Sequence, residues 1–212
     1  MSPCTYVLVV VDESTSMLGV ARGVRIGVNA YLADLAQEQG LQHLVTLVTF
    51  SEERRVVCQI TPAGQVPRLD QVSYRPRGNT ALLDAVADTL DEFAQAVTLQ
   101  AGDRVLFLLA TDGAENWSTR HSPGDVLEKV MGRELDGQWT FIHMAAGQEA
   151  AEQSLCLGLR NVIAIAQEDL AREALFYSMA GATALWSRGG EATGMVEHLH
   201  RELHETAPVV QR

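Results

Sequence analysis

Cysteine is scarce: the 212-residue chain has three, Cys4, Cys58 and Cys156. Odd in number, far apart and without a CxxC pair, they exclude a disulfide framework and a zinc knuckle, and predict reduced thiols in a cytoplasmic setting. Basic residues are also in short supply, 16 Lys and Arg against 27 Asp and Glu, for a net charge of −11. Nucleic-acid binding draws on cationic side chains that displace counterions, so this balance excludes that partner class and favours a metal or a cationic partner. No apolar run approaches the ~20 residues that cross a bilayer, which excludes a membrane span. The run Thr5 to Val11 near the N-terminus has no basic flank and leads straight into an acid, so it reads as a buried strand and not as a signal peptide. Linkers rich in Pro, Gly or Ser, and internal repeats, are missing too. One domain over residues 1–190 is expected, followed by a polar tail, 191–212, with helical character from Met195 to His204.

What is present is an alternation of buried strands and amphipathic helices. TYVLVVV (5–11) and RVLFLLAT (104–111) are apolar on both faces, as strands covered by helices on each side must be. Val24, Ile26, Val28, Tyr31, Leu32 and Leu35 carry helical spacing through a segment, Val20 to Gln39, that stops at Gly40. His43 to Phe50 and Arg55 to Ile60 flank the charged SEERR connection and predict an antiparallel pair. After a long loop rich in Pro and Gly, ALLDAVADTLDEFAQAV (81–97) has a helical period. A helix over Asp125–Leu135, a strand over Gln138–Ala145, a short helix over Glu149–Gly158, an edge strand over Asn161–Ala166 and a helix over Leu170–Trp186 with Asp169 at its N-cap complete the series. The expected architecture is α/β: a doubly wound, mostly parallel six-stranded sheet with one antiparallel edge strand and helices on both faces. Such sheets bind ligands at the carboxyl ends of their strands, near the point where strand order reverses.

Three loops at that edge carry chemistry. Asp12-Glu13-Ser14-Thr15-Ser16 follows the first strand and sets a carboxylate and two hydroxyls at alternate positions. Gly78-Asn79-Thr80 offers a hydroxyl at a helix entrance, and Thr111-Asp112-Gly113 a carboxylate at a strand end. Oxygen donors of this kind suit Mg2+, Mn2+ or Ca2+ and suit zinc poorly. In this set the chain resembles the von Willebrand factor A family, whose metal-ion-dependent adhesion site pairs Asp-x-Ser-x-Ser with a threonine and an aspartate from two later loops. The resemblance covers roughly residues 4 to 187. It implies that Asp12, Ser14, Ser16, Thr80 and Asp112 hold one divalent cation, Mg2+ first among the candidates, and that a partner protein completes the metal shell with an Asp or Glu. Stand-alone bacterial domains of this type accompany kinases, phosphatases, chaperone-like ATPases and stress-response or tellurium-resistance systems, which implies an adaptor or assembly role.

The expected class is thus a binding module and not an enzyme. The alternatives are a metal-dependent hydrolase acting on a phosphorylated substrate and a metal-free scaffold. Hydrolysis would need a positioned base, and Glu13, Glu115 and His121 form no recognised arrangement with the motif. Glu13 either adds charge to the site or points to solvent, the latter being favoured. Arg75 and Arg77 either meet an acidic partner or balance the acidic surface. Trp117 is either an interface anchor or packing beneath its loop. Gly19, Gly23 and Gly27 lack a phosphate-loop spacing and predict close helix packing or a turn. His198, His200 and His204 read as a polar helix face ahead of a metal cluster.

Overall fold

The structure is a computed structural model that describes residues 3–146, 148–166, 169–170 and 173–205. Among these, the strands β1 (Thr5–Asp12), β2 (His43–Phe50), β3 (Arg54–Pro62), β4 (Arg104–Thr111), β5 (Trp139–Ala146) and β6 (Asn161–Ile165) form one sheet in the order β3-β2-β1-β4-β5-β6. Every neighbouring pair is parallel except β2 with the edge strand β3. The expected sheet, with its antiparallel edge, is the one observed.

Helices α1 (Ala21–Gln37), α5 (Glu173–Ser187) and α6 (Ala192–Glu205) cover one face, and α2 (Leu82–Ala96) and α3 (Pro123–Leu135) the other; α4 (Gln148–Cys156) connects β5 to β6. Strand alternation divides the core between the faces: Val7, Val9 and Val11 point towards α1 and α5, while Leu8 and Val10 point towards α2. Both sets are buried, which is why β1 lacks the polar alternation of a half-exposed strand.

Two details refine the sequence reading. Helix α6, within the segment after Gly190, buries Met195 and Leu199 in the core, and Val196 packs beside them. Three apolar residues on one face suffice for docking, although the helix is polar in bulk. Gly27 faces α5 so closely that a Cβ there would overlap the Phe176 ring, so close helix packing explains this glycine. The N-cap expected at Asp169 adjoins residues 171–172, which lie outside the described residues, as do the side chains of His200 and His204.

The order β2-β1-β4 makes β1 the switch point: chain leaving its carboxyl end meets loops from both sides. The candidate metal residues stand there.

Candidate metal centre

Asp12 ends β1 and is fully buried. Its Oδ1 accepts the backbone N–H of Ser14 at 2.6 Å and its Oδ2 the hydroxyl of Thr111 at 2.5 Å, so both carboxylate oxygens are oriented before any ligand arrives. Burial drives its pKa up to about 6; the Thr111 and Ser14 hydrogen bonds oppose the rise, and the nearby Asp112 charge adds to it. A short 3-10 helix, Thr15–Gly19, then folds the hydroxyls back over the strand end. Ser14 Oγ lies 3.0 Å from Ser16 Oγ, and Ser16 Oγ donates to Asp112 Oδ1 at 2.6 Å. One chain of contacts therefore joins the first loop to the third.

Thr80 enters from the second loop. A Cβ added to Gly113 would stand 3.2 Å from Thr80 Oγ1, 3.6 Å from Ser16 Oγ and 3.7 Å from Asp12 Oδ2. Three of the expected donors thus surround a hollow that exists because residue 113 has no side chain. All five sequence-predicted residues, Asp12, Ser14, Ser16, Thr80 and Asp112, share this one corner of the sheet edge.

The donor set fits a hard divalent cation. It combines two carboxylates with three hydroxyls, and among the described residues no group of three or more His, Cys, Asp or Glu forms a softer or more acidic alternative.

Several residues that sequence reasoning passed over hold the loops in place. Tyr74, fully buried, donates its hydroxyl to the backbone carbonyl of Asp12 at 2.6 Å. Burial and the carboxylates of Asp12, Glu13 and Asp112 push that hydroxyl's pKa upward, so it stays a donor. Thr15 donates through both its N–H and its hydroxyl to Gly78 O, at 3.1 and 2.9 Å. Gly78 has φ +69 and lies against the Glu52 side chain, a position that a residue with a Cβ would strain. Asn116 clasps Thr80 twice, its Oδ1 accepting Thr80 N–H at 2.8 Å and its own N–H donating to Thr80 O at 3.1 Å. Sequence spacing did not mark Asn116, since Asn is a common loop residue whatever it binds.

Glu13 corrects an expectation. It is buried, 4% exposed, with Oε2 2.8 Å from Arg55 Nη2, and does not point to solvent. Arg55 also donates to Thr49 Oγ1 and to Ser73 O, tying β3 and the 66–79 loop to the first motif. The partner lies 42 residues away, a separation no local pattern reveals. Glu115 is no free loop acid either: it accepts from the backbone N–H groups of Leu83, Trp117 and Ser118. His121 Nε2 stands 3.3 Å from Asp88. Trp117 is 49% exposed on the rim.

The fold places a cluster of side-chain oxygens at the topological switch point of an α/β domain. Solved structures place the fold further. The chain is similar to the von Willebrand factor domain of the type V pili tip protein Mfa5 from Porphyromonas gingivalis, with TM-score 0.65 and 11% identity over 90% of this chain and 98% of that one. It is also similar to a von Willebrand factor type A protein from Catenulispora acidiphila, TM-score 0.55 and 19% identity, covering 86% and 43% of the two chains. A third likeness is the open conformation of the pilus adhesin SpaC from Lactobacillus rhamnosus GG, TM-score 0.64 and 17% identity, covering 87% and 30%. The chain spans less than two thirds of the length of several structures it matches. No family model and no curated protein matches the sequence. The chain has the von Willebrand factor A fold. Among the described residues no helix is long and apolar enough to cross a membrane.

Proposed function

We propose that the protein is a metal-dependent binding module, in which one divalent cation held by Asp12, Ser14, Ser16, Thr80 and Asp112 captures a carboxylate of a partner protein. The observation that carries this reading is the convergence of those oxygens on the hollow at Gly113, at the open edge of the sheet. The two carboxylates roughly neutralise a divalent ion, and the hydroxyls add donors without adding charge. The bound ion remains electrophilic towards an incoming Asp or Glu. Ser14 N–H and Thr111 hold the Asp12 carboxylate in position, and Asn116 holds Thr80, so little ordering is left for the binding step.

A non-enzymatic role is supported by how the nearby acids and bases are engaged. Glu13 is paired with Arg55, Glu115 is occupied by backbone amides, and the His121 ring faces Asp88. Neither glutamate stands ready to accept a proton from a metal-bound water. We read the role as that of a cytoplasmic adaptor or assembly factor of the stress-response type. Calorimetric titration of chelator-stripped protein with Mg2+, Mn2+ and Ca2+ tests the site. Saturable binding by wild type, abolished in Asp12→Ala, is the expected outcome; equal binding by the two proteins would place any metal elsewhere.

A further inference from the structure

The basic side chains of this acidic protein are unevenly used. Arg54, Arg55, Arg120, Lys129, Arg133, Arg160 and Arg188 each pair with a carboxylate. Arg22, Arg68, Arg75 and Arg77 are exposed and make no ion pair among the described residues.

Those four lie on one side of the metal centre. Arg77 donates its backbone N–H to Glu13 O at 2.8 Å, which seats it against the first motif, and Arg75 is separated from it only by the buried Pro76. Arg22 is in the first turn of α1, just beyond the 3-10 helix that carries Ser16. Along the same helix face, Arg25 approaches Tyr74 O at 3.4 Å, and Asn29 grips the backbone of Leu69 with two 2.8 Å hydrogen bonds, which places Arg68 at the far end. The result is a strip of arginines leading away from the cation pocket along α1 and the 66–79 loop. The adjoining rim has the other sign, and Arg77 stands at the border, lining one pocket with Glu52, Glu53 and Trp117. Beyond Trp117, a cavity of about 540 Å³ is lined by Glu52, Glu53, Asp84, Asp88 and Glu92, with Arg54 and Arg120 already paired to them.

We propose that this strip is the docking track for an acidic segment of the partner protein, whose leading Asp or Glu takes the metal and whose following acids lie across Arg77, Arg75, Arg22 and Arg68. The proposal rests on the metal-centred reading above and adds the partner's character and direction. Unpaired arginines on a surface of net charge −11 form a local attraction inside a general repulsion, which selects a short acidic chain that can follow the strip. A nucleic acid or an anionic membrane would also press against the acidic rim.

The test is fluorescence anisotropy of a labelled peptide of alternating Asp and Gly, titrated with the full chain in Mg2+. Arg75→Ala/Arg77→Ala is expected to weaken binding at least about five-fold, from exposed charge pairs acting together. Arg160→Ala/Arg188→Ala, which removes the same net charge elsewhere, is expected to leave it within two-fold by the same reasoning. Added salt weakens the wild-type interaction. Equal losses in both double variants, no loss in either, or no binding by wild type would overturn the proposal, and tighter binding of phosphatidylserine vesicles or oligodeoxythymidine than of the peptide would overturn the partner class. The two readings fail separately. Arginine-dependent binding that persists in chelator keeps the strip and removes the metal from the interaction. Normal Mg2+ titration with arginine-independent peptide binding keeps the metal and removes the strip.

Discussion

Removing the charge of Asp12 should strengthen the metal-free fold while abolishing metal binding. Burial raises the pKa of Asp12 from 3.8 to about 6, so the folded protein holds this proton more tightly than the unfolded chain does. Above pH 6 both states are ionised, and the folded state carries the full penalty. Two pH units correspond to about 3 kcal/mol at pH 7.5, a value that already includes the help from Thr111 and Ser14. In Asp12→Asn the amide oxygen keeps the Ser14 N–H bond, and the amide N–H2 faces the Thr111 hydroxyl, which turns to donate to Gly113 O, 3.2 Å away. The variant should therefore melt about 6–12 °C above wild type in chelator, given about 2–4 °C per kcal/mol for a domain of this size. Two further arms follow from the sign of the shift. At pH 5 the wild-type carboxylate is mostly protonated in the fold, and the gap shrinks to about 1.6 kcal/mol. In Mg2+ at about 100 times its dissociation constant, wild type gains about 2.7 kcal/mol and the variant nothing, which closes the neutral-pH gap. Differential scanning calorimetry in chelator and in Mg2+ measures all three. A variant that melts below wild type in chelator would refute the reasoning, because the hydrogen bonds of the carboxylate would then outweigh its desolvation.

Tyr74→Phe removes one hydroxyl and leaves the buried Asp12 carbonyl without that donor; urea unfolding should show a loss of about 1–3 kcal/mol. His143 provides a pH test of opposite sign to Asp12. It is fully buried, its Nδ1 lies 2.5 Å from Ser154 Oγ, its Nε2 has no partner, and burial lowers its pKa from 6.5 to about 3. The unfolded chain gains this proton first, so stability is present above pH 6.5 and falls on acidification, by about 1.4 kcal/mol between pH 7.5 and 5.5. Measured in the Asp12→Asn background, that loss should be missing when His143→Asn is added.

The sequence by itself determined the layers, the sheet and which five oxygen-bearing residues gather at its ligand edge. Doubly apolar strands such as Thr5–Asp12 and Arg104–Thr111 can be stable only with helices on both faces, and Asp12-x-Ser14-x-Ser16 after such a strand lies at the ligand edge by topology alone. These readings rest on local periodicity and on residues close in the chain. Tertiary structure alone decided what surrounds the donors. Tyr74 beneath Asp12, Arg55 against Glu13, Asn116 clasping Thr80 and the burial of Met195 and Leu199 all join segments far apart in sequence. The same holds for the arginine strip, which forms only because Asn29 pins the loop at Leu69 to α1 and Arg25 meets Tyr74. Spacing along a chain encodes which face a side chain takes; which distant group waits on that face depends on how the elements pack.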